Sequence, residues 1–151
     1  MKRMSPLFLL LVATPLAAQQ NALVGTWKVT YVAGVRMENG EATPINANGV
    51  LTVEAKGDSL IGVLVGEPVA GRPARPPLRL AGRSGAAPVR FLSEGKATLS
   101  QNGADREAAV HTTWTLSVAG DSLSGTLERV IEGVDMPSTG PQTIRGSRSA
   151  S

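Results

Sequence analysis

Gly120-Asp121-Ser122-Leu123-Ser124-Gly125-Thr126-Leu127 is the stretch on which the fold turns, and the chain carries it twice. The earlier copy, Gly57-Asp58-Ser59-Leu60-Ile61-Gly62-Val63-Leu64, begins 63 residues upstream. In each copy an alternating apolar run enters, Gly-Asp reverses the chain, and a second alternating run leaves. Glycine at the first central position supplies the positive φ of a two-residue II′ or I′ turn, so both copies read as β-hairpin elbows. Gly62 and Gly125 fall at matching mid-strand places, where glycine costs stability and points to tight curvature or close approach of another backbone.

The strands around these elbows follow the same period of two. From Glu107 to Val118, Val110, Thr112, Trp114, Leu116 and Val118 share one face, with His111, Thr113, Thr115 and Ser117 on the other. Leu123, Gly125 and Leu127 then face inward on the outgoing strand, Ser122 to Val130. Before the first elbow, Val50 to Ala55 sets Leu51 and Val53 on one face. After it, Ser59 to Val65 is apolar on both sides, so it is either covered twice or shows an apolar stripe to solvent. Leu23 to Val32 alternates cleanly, Trp27, Val29 and Tyr31 against Thr26, Lys28 and Thr30. Gly34 to Gly49, punctuated by Asn39-Gly40 and Asn48-Gly49, reads as a polar loop with room for a short irregular hairpin. Four prolines between Glu67 and Pro77 read as an extended surface loop. Leu78 to Arg83 resumes a strand. Val89 to Leu92 and Lys96 to Ser100 form two short strands or one bulged strand, Asn102-Gly103 marks a turn, and Gln142 to Arg148 is the last strand.

About eight strands with frequent turns and no helix indicate an all-β sandwich or barrel. A single up-and-down antiparallel barrel is favoured, because joining the first strand to the last removes the exposed edges of a sheet.

The first residues are of another kind. Lys2 and Arg3 precede an apolar run from Leu7 to Val12, and small residues from Ala13 to Ala18 follow. This reads as a secretory signal peptide over residues 1–18, leaving residues 19–151 as the barrel domain. The run is far shorter than the ~20 residues a membrane span needs, so no integral membrane segment is expected after cleavage. With no cysteine there is neither a lipobox nor a disulfide, and the expected location is secreted or periplasmic. Without Lys2 and Arg3 the basic residues number thirteen against twelve acids, so the high pI owes much to the leader. Nucleic acid is not an expected partner, since Trp27, Tyr31, Phe91 and Trp114 are not interleaved with arginines as a stacking platform. The charge is nevertheless uneven. Pro68 to Ser93 holds Arg72, Arg75, Arg79, Arg83 and Arg90 and no acid.

Gly25-Thr26-Trp27 at the head of the first strand resembles the Gly-x-Trp of lipocalin-like (calycin) barrels. The resemblance implies that Trp27 plugs one end and that an arginine of the last strand, Arg148 or Arg145, packs over its ring. The whole mature chain also resembles a group of uncharacterised secreted bacterial proteins that share a signal peptide, a Gly-Thr-Trp first strand, Gly-Asp-Ser-Leu-x-Gly hairpins and a closing strand ending in Arg. A barrel is what such a likeness carries; an activity is not.

Gly-Asp-Ser-Leu is also the name-giving block of a lipase and esterase family with a serine nucleophile. That chemistry sets the serine between strand and helix and needs a histidine downstream, whereas His111 precedes the second copy. No catalytic residue is therefore assigned. One histidine without cysteine does not build the usual zinc site, so neither a metal nor a cofactor is expected. Nothing singles out Glu54, Asp105, Glu107 or Glu128 as a carboxylate pair.

Two binding functions remain. Trp27, Val29, Tyr31, Trp114, Leu116, Leu123 and Leu127 either fill the barrel or line a cavity for a small apolar ligand, with Thr112 as a polar handle. Alternatively, the Pro/Arg loop of residues 68–79 presents Arg72, Arg75 and Arg79 to an acidic partner, and the protein is a non-catalytic envelope interaction module around a solid core.

Overall fold

A computed structural model describes residues 22–68, 70–71, 74–85, 88–101, 103–133 and 140–150. The segment read as a leader, together with Arg72 and Asn102, lies outside the described residues. Eight strands follow one another: β1 (Gly25–Glu38), β2 (Glu41–Lys56), β3 (Ser59–Gly66), β4 (Leu78–Arg83), β5 (Val89–Gln101), β6 (Ala104–Ala119), β7 (Ser122–Ile131) and β8 (Gln142–Arg148). Each is antiparallel to the next, and β8 pairs with β1 through Trp27↔Arg148 to Thr30↔Arg145, closing an up-and-down barrel. The architecture is compatible with a lipocalin-like fold. Among the described residues no helix is long and apolar enough to cross a membrane.

Both Gly-Asp elbows are two-residue turns. Gly57 and Gly120 have φ of 57° and 61° while the aspartates stay at negative φ, which is the II′ pattern. Each aspartate also ties its elbow to a neighbour. The Asp58 carbonyl accepts from the Ser84 N–H and hydroxyl, and the Asp121 carbonyl accepts from the Arg148 N–H.

The expected polar loop from Gly34 to Gly49 is instead strand. Asn39 and Gly40, at φ 52° and 80°, make a tight I′ turn between the paired Glu38 and Glu41. Asn48-Gly49 is no turn at all; it runs through the middle of β2. Ala33 is the extra residue of a β-bulge where the β1–β2 register shifts. Val89 to Gln101 is one strand in unbroken register with β6, with no bulge at Glu94-Gly95. The apolar stripe of β3 does face solvent, with Val63 and Val65 exposed.

Inward-facing residues of every strand meet in one core. Trp27, Phe91, Trp114, Leu116 and Leu127 expose at most 1% of their surface, so a water molecule touches them neither from outside nor from within. Eight strands enclose a space that side chains just fill, and here they fill it. Gly125 lets the wall curve: a Cβ there would collide with the Thr115 carbonyl on β6. At Gly62 the near neighbours are instead the Leu80 and Leu51 side chains.

Candidate functional site

The barrel's two ends are built from similar residues. At the end holding both Gly-Asp elbows, the Trp27 indole N–H donates to the Leu23 carbonyl (2.9 Å). The Arg148 guanidinium lies over its ring, 4.2 Å from the centroid. That guanidinium also donates to the carbonyls of Val24 (3.2 Å) and Ala22 (2.8 Å) and sits 3.4 Å from the Asp121 carboxylate. Arg148, rather than Arg145, is thus the arginine that covers the tryptophan. Gly25 is required beside it, because its φ is +138° and a Cβ would stand 2.7 Å from Arg148 Nη1.

All eight residues expected to line a cavity lie inside the barrel: Trp27, Val29, Tyr31, Thr112, Trp114, Leu116, Leu123 and Leu127. All but Thr112 pack in one cluster with Leu51, Leu60, Leu80, Phe91 and Ile144. The polar ones gather toward the end opposite Trp27. There Ser93, Thr112 and Arg129 stand in one row across β5, β6 and β7. The Trp114 indole N–H donates to Ser93 Oγ (2.9 Å), and Tyr31 meets the Trp114 ring edge-on with centroids 6.2 Å apart.

Arg129 was not singled out from the sequence. It continues the inward parity of Leu123, Gly125 and Leu127, and a charge on inward parity is the signal that identifies it. Its guanidinium donates to the Val32 carbonyl (2.6 Å), next to the bulge and just beyond the last β1–β8 pair. Burial pushes this guanidinium below its ordinary value; the Tyr31 phenol offsets part of the push and the Arg75 cation adds to it. Burial likewise raises the Tyr31 phenol, with Arg75 and Arg129 pulling it back.

The predicted arginine patch therefore divides. Arg75 belongs electrostatically with Tyr31 and Arg129, while Arg79 points outward from β4. Its strand-mate Arg83 lines a shallow concavity with Ser59, Ala81, Val89, Arg90 and Leu92. The ladder between β4 and β5 is short here, with Ala81↔Leu92 and Gly82↔Phe91 in register. One outward row crosses it, Ile61, Ala81, Leu92 and Thr113, and just beyond its last pair Ser59 pairs with Arg83 and Arg90 with Thr115. That row continues to Glu54 on β2 and to Glu128 on β7; the pairs that hold Arg83 and Arg90 contain no acid. Leu92, two residues from Arg90 on β5, is 59% exposed.

Ser59 and Ser122 open strands, not helices. His111 is held instead by Glu132 (2.9 Å) and Glu94 (3.6 Å) on the outer wall. It stands eight residues along β6 from Ala119, the partner of Ser122, or about 26 Å at ~3.3 Å per residue. The serines and the imidazole belong to different ends. No protein-family model matches the chain, and no curated protein matches it in sequence.

Proposed function

We propose that the protein is a secreted or periplasmic barrel without catalytic activity, and that it works by holding an acidic protein segment on the outer wall of β3, β4 and β5. The observation that carries this reading is the placement of Arg83 and Arg90 on one concavity beside exposed Leu92, each in a cross-strand pair that contains no acid. Neighbouring guanidiniums repel, and a carboxylate-bearing partner relieves that repulsion through bidentate pairs while its apolar side chains cover Leu92 and Val63. Arg79 extends the same face. The filled interior favours the wall over an enclosed cavity: a small apolar ligand among Trp27, Leu116, Leu123 and Leu127 would have to displace side chains that already occupy the space. Export is inferred from the Lys2-to-Ala18 pattern and the lack of cysteine.

The test is fluorescence anisotropy with a labelled peptide in which Asp and Glu alternate with Leu. Binding is expected to weaken with salt, and the Arg83→Gln/Arg90→Gln variant is expected to lose about tenfold or more in affinity. Equal affinity for wild type and variant would refute the proposal. So would binding to vesicles of anionic lipid in the absence of any binding to the peptide.

A further inference from the structure

A second outer face, across β8, β1 and β2, sets opposite charges over a polar floor. Arg145, Thr30 and Asn48 are direct cross-strand partners, and the Glu67 N–H donates to the Asn48 carbonyl (2.9 Å), so the row ends on Glu67. Adjacent strands stand about 4.8 Å apart, which puts Arg145 and Glu67 on opposite rims of the row. Lys28 joins the basic rim. It pairs with Ser147, so Lys28 and Arg145 are diagonal neighbours about 7–8 Å apart, a gap that long side chains span. One concavity of about 420 Å³ is lined by all six of these residues. Its floor is firmly built. Thr30 Oγ1 donates to Asn48 Oδ1 (2.9 Å), so the amide's oxygen is engaged and its NH2 group remains a donor. A Cβ on Gly49 or Gly146 would stand 2.8 Å from a backbone carbonyl of the next strand, so the strands beneath are held close together.

The order of groups along this row selects its ligand. A plain anion is drawn to Lys28 and Arg145 but meets the Glu67 carboxylate across the same concavity, and a plain cation meets the reverse. A molecule that carries both signs a few bonds apart satisfies both rims at once, with its polar middle over Thr30 and Asn48. We propose that this concavity binds a small zwitterion, a free amino acid or a short peptide with unblocked ends. Its carboxylate lies between Arg145, whose planar fork matches two oxygens, and Lys28; its ammonium lies against Glu67. The Asn48 NH2 and the Ser147 hydroxyl are the further donors on the carboxylate's path. The site is separate from the β3–β5 wall, so either assignment stands or falls without the other.

The backbone amide signals of residues 28–30, 48–49, 67 and 145–147 are titrated by NMR with glycine, glycylglycine, N-acetylglycylglycine and glycylglycinamide at constant ionic strength. Saturable shifts with glycine identify an amino-acid site; saturable shifts with glycylglycine alone identify a peptide site. Blocking either end of glycylglycine is expected to weaken binding about two- to fivefold, the scale of one exposed charge pair. The variants then read each rim by itself. Glu67→Gln is expected to bind the acetylated and free peptides alike, and Lys28→Gln/Arg145→Gln to bind the amidated and free peptides alike. Lys56→Gln, away from the concavity, is expected to behave as wild type. Lys28, Glu67 and Arg145 are all exposed, so their variants are expected to keep the fold. Shifts no larger than those of sodium chloride, equal affinity of wild type for blocked and free peptides, or rim variants that titrate as wild type would each overturn the proposal.

Discussion

Each end of the barrel holds a partly buried arginine, and the two arginines are treated in opposite ways. Arg148 stacks on Trp27, donates to two carbonyls and lies against the Asp121 carboxylate. Its charge, its donors and its apolar face are all used. Arg129 donates to the neutral Val32 carbonyl and is more deeply buried than its charge favours, with the Arg75 cation adding to the disadvantage. The first arginine is a cap that stabilises the barrel by itself. Among the described residues, the second is bonded through one nitrogen to a neutral carbonyl. Position along the ladder accounts for the difference. At Trp27 the β1–β8 pairing is intact and adjacent chain supplies the acceptors, whereas past Thr30 the strands part and the bulge at Ala33 turns β1 away.

Substitutions at the capped end have the largest expected effects. Trp27→Ala removes a fully buried indole and the surface under Arg148, and is expected to cost about 3–5 kcal/mol in urea unfolding. A loss under about 1 kcal/mol would mean that the plug is ornamental to stability. Arg148→Met keeps apolar cover over the ring but leaves two carbonyls unpaired, so a loss of roughly 1–3 kcal/mol is expected. Lysine should not restore it, because a point charge cannot stack and fork together.

Much of this was legible along the chain, and the reasons are local. The elbows declare themselves because a II′ turn demands glycine at one position, and the strands beside them alternate because one face meets the core. The β1–β2 extension was hidden for the converse reason. Asn46, Asn48 and Pro44 sit on a hairpin arm with little core to impose alternation, so their letters match those of a loop. The division of Arg75 from Arg79, and the union of Arg83 with Arg90, depend on register between strands. No periodicity within one strand encodes that. Arg129 lies between these cases: its parity was readable, but the loss of its β8 neighbour was not.

At the other end the expected changes are smaller. The Tyr31 phenol is raised above its ordinary 10.0, so the folded protein keeps a proton that the unfolded chain has released. The unfolded state then binds fewer protons, and stability falls as pH rises through and above about 10. Urea midpoints at about pH 8 and pH 10.5 should show a decline that Tyr31→Phe lessens; an identical decline in both proteins would place the titrating group elsewhere.

The smallest expected change is the most telling. Near neutral pH, Arg129→Met removes a hydrogen bond to Val32 but also a half-buried charge disfavoured by burial, so its unfolding free energy should lie within about 0.5 kcal/mol of wild type. Measured beside Arg148→Met under the same conditions, this pair compares the two ends directly. A clear loss for Arg148→Met with none for Arg129→Met is the predicted result. Equal losses would show that both arginines are simply struts and would contradict the asymmetry on which the account rests.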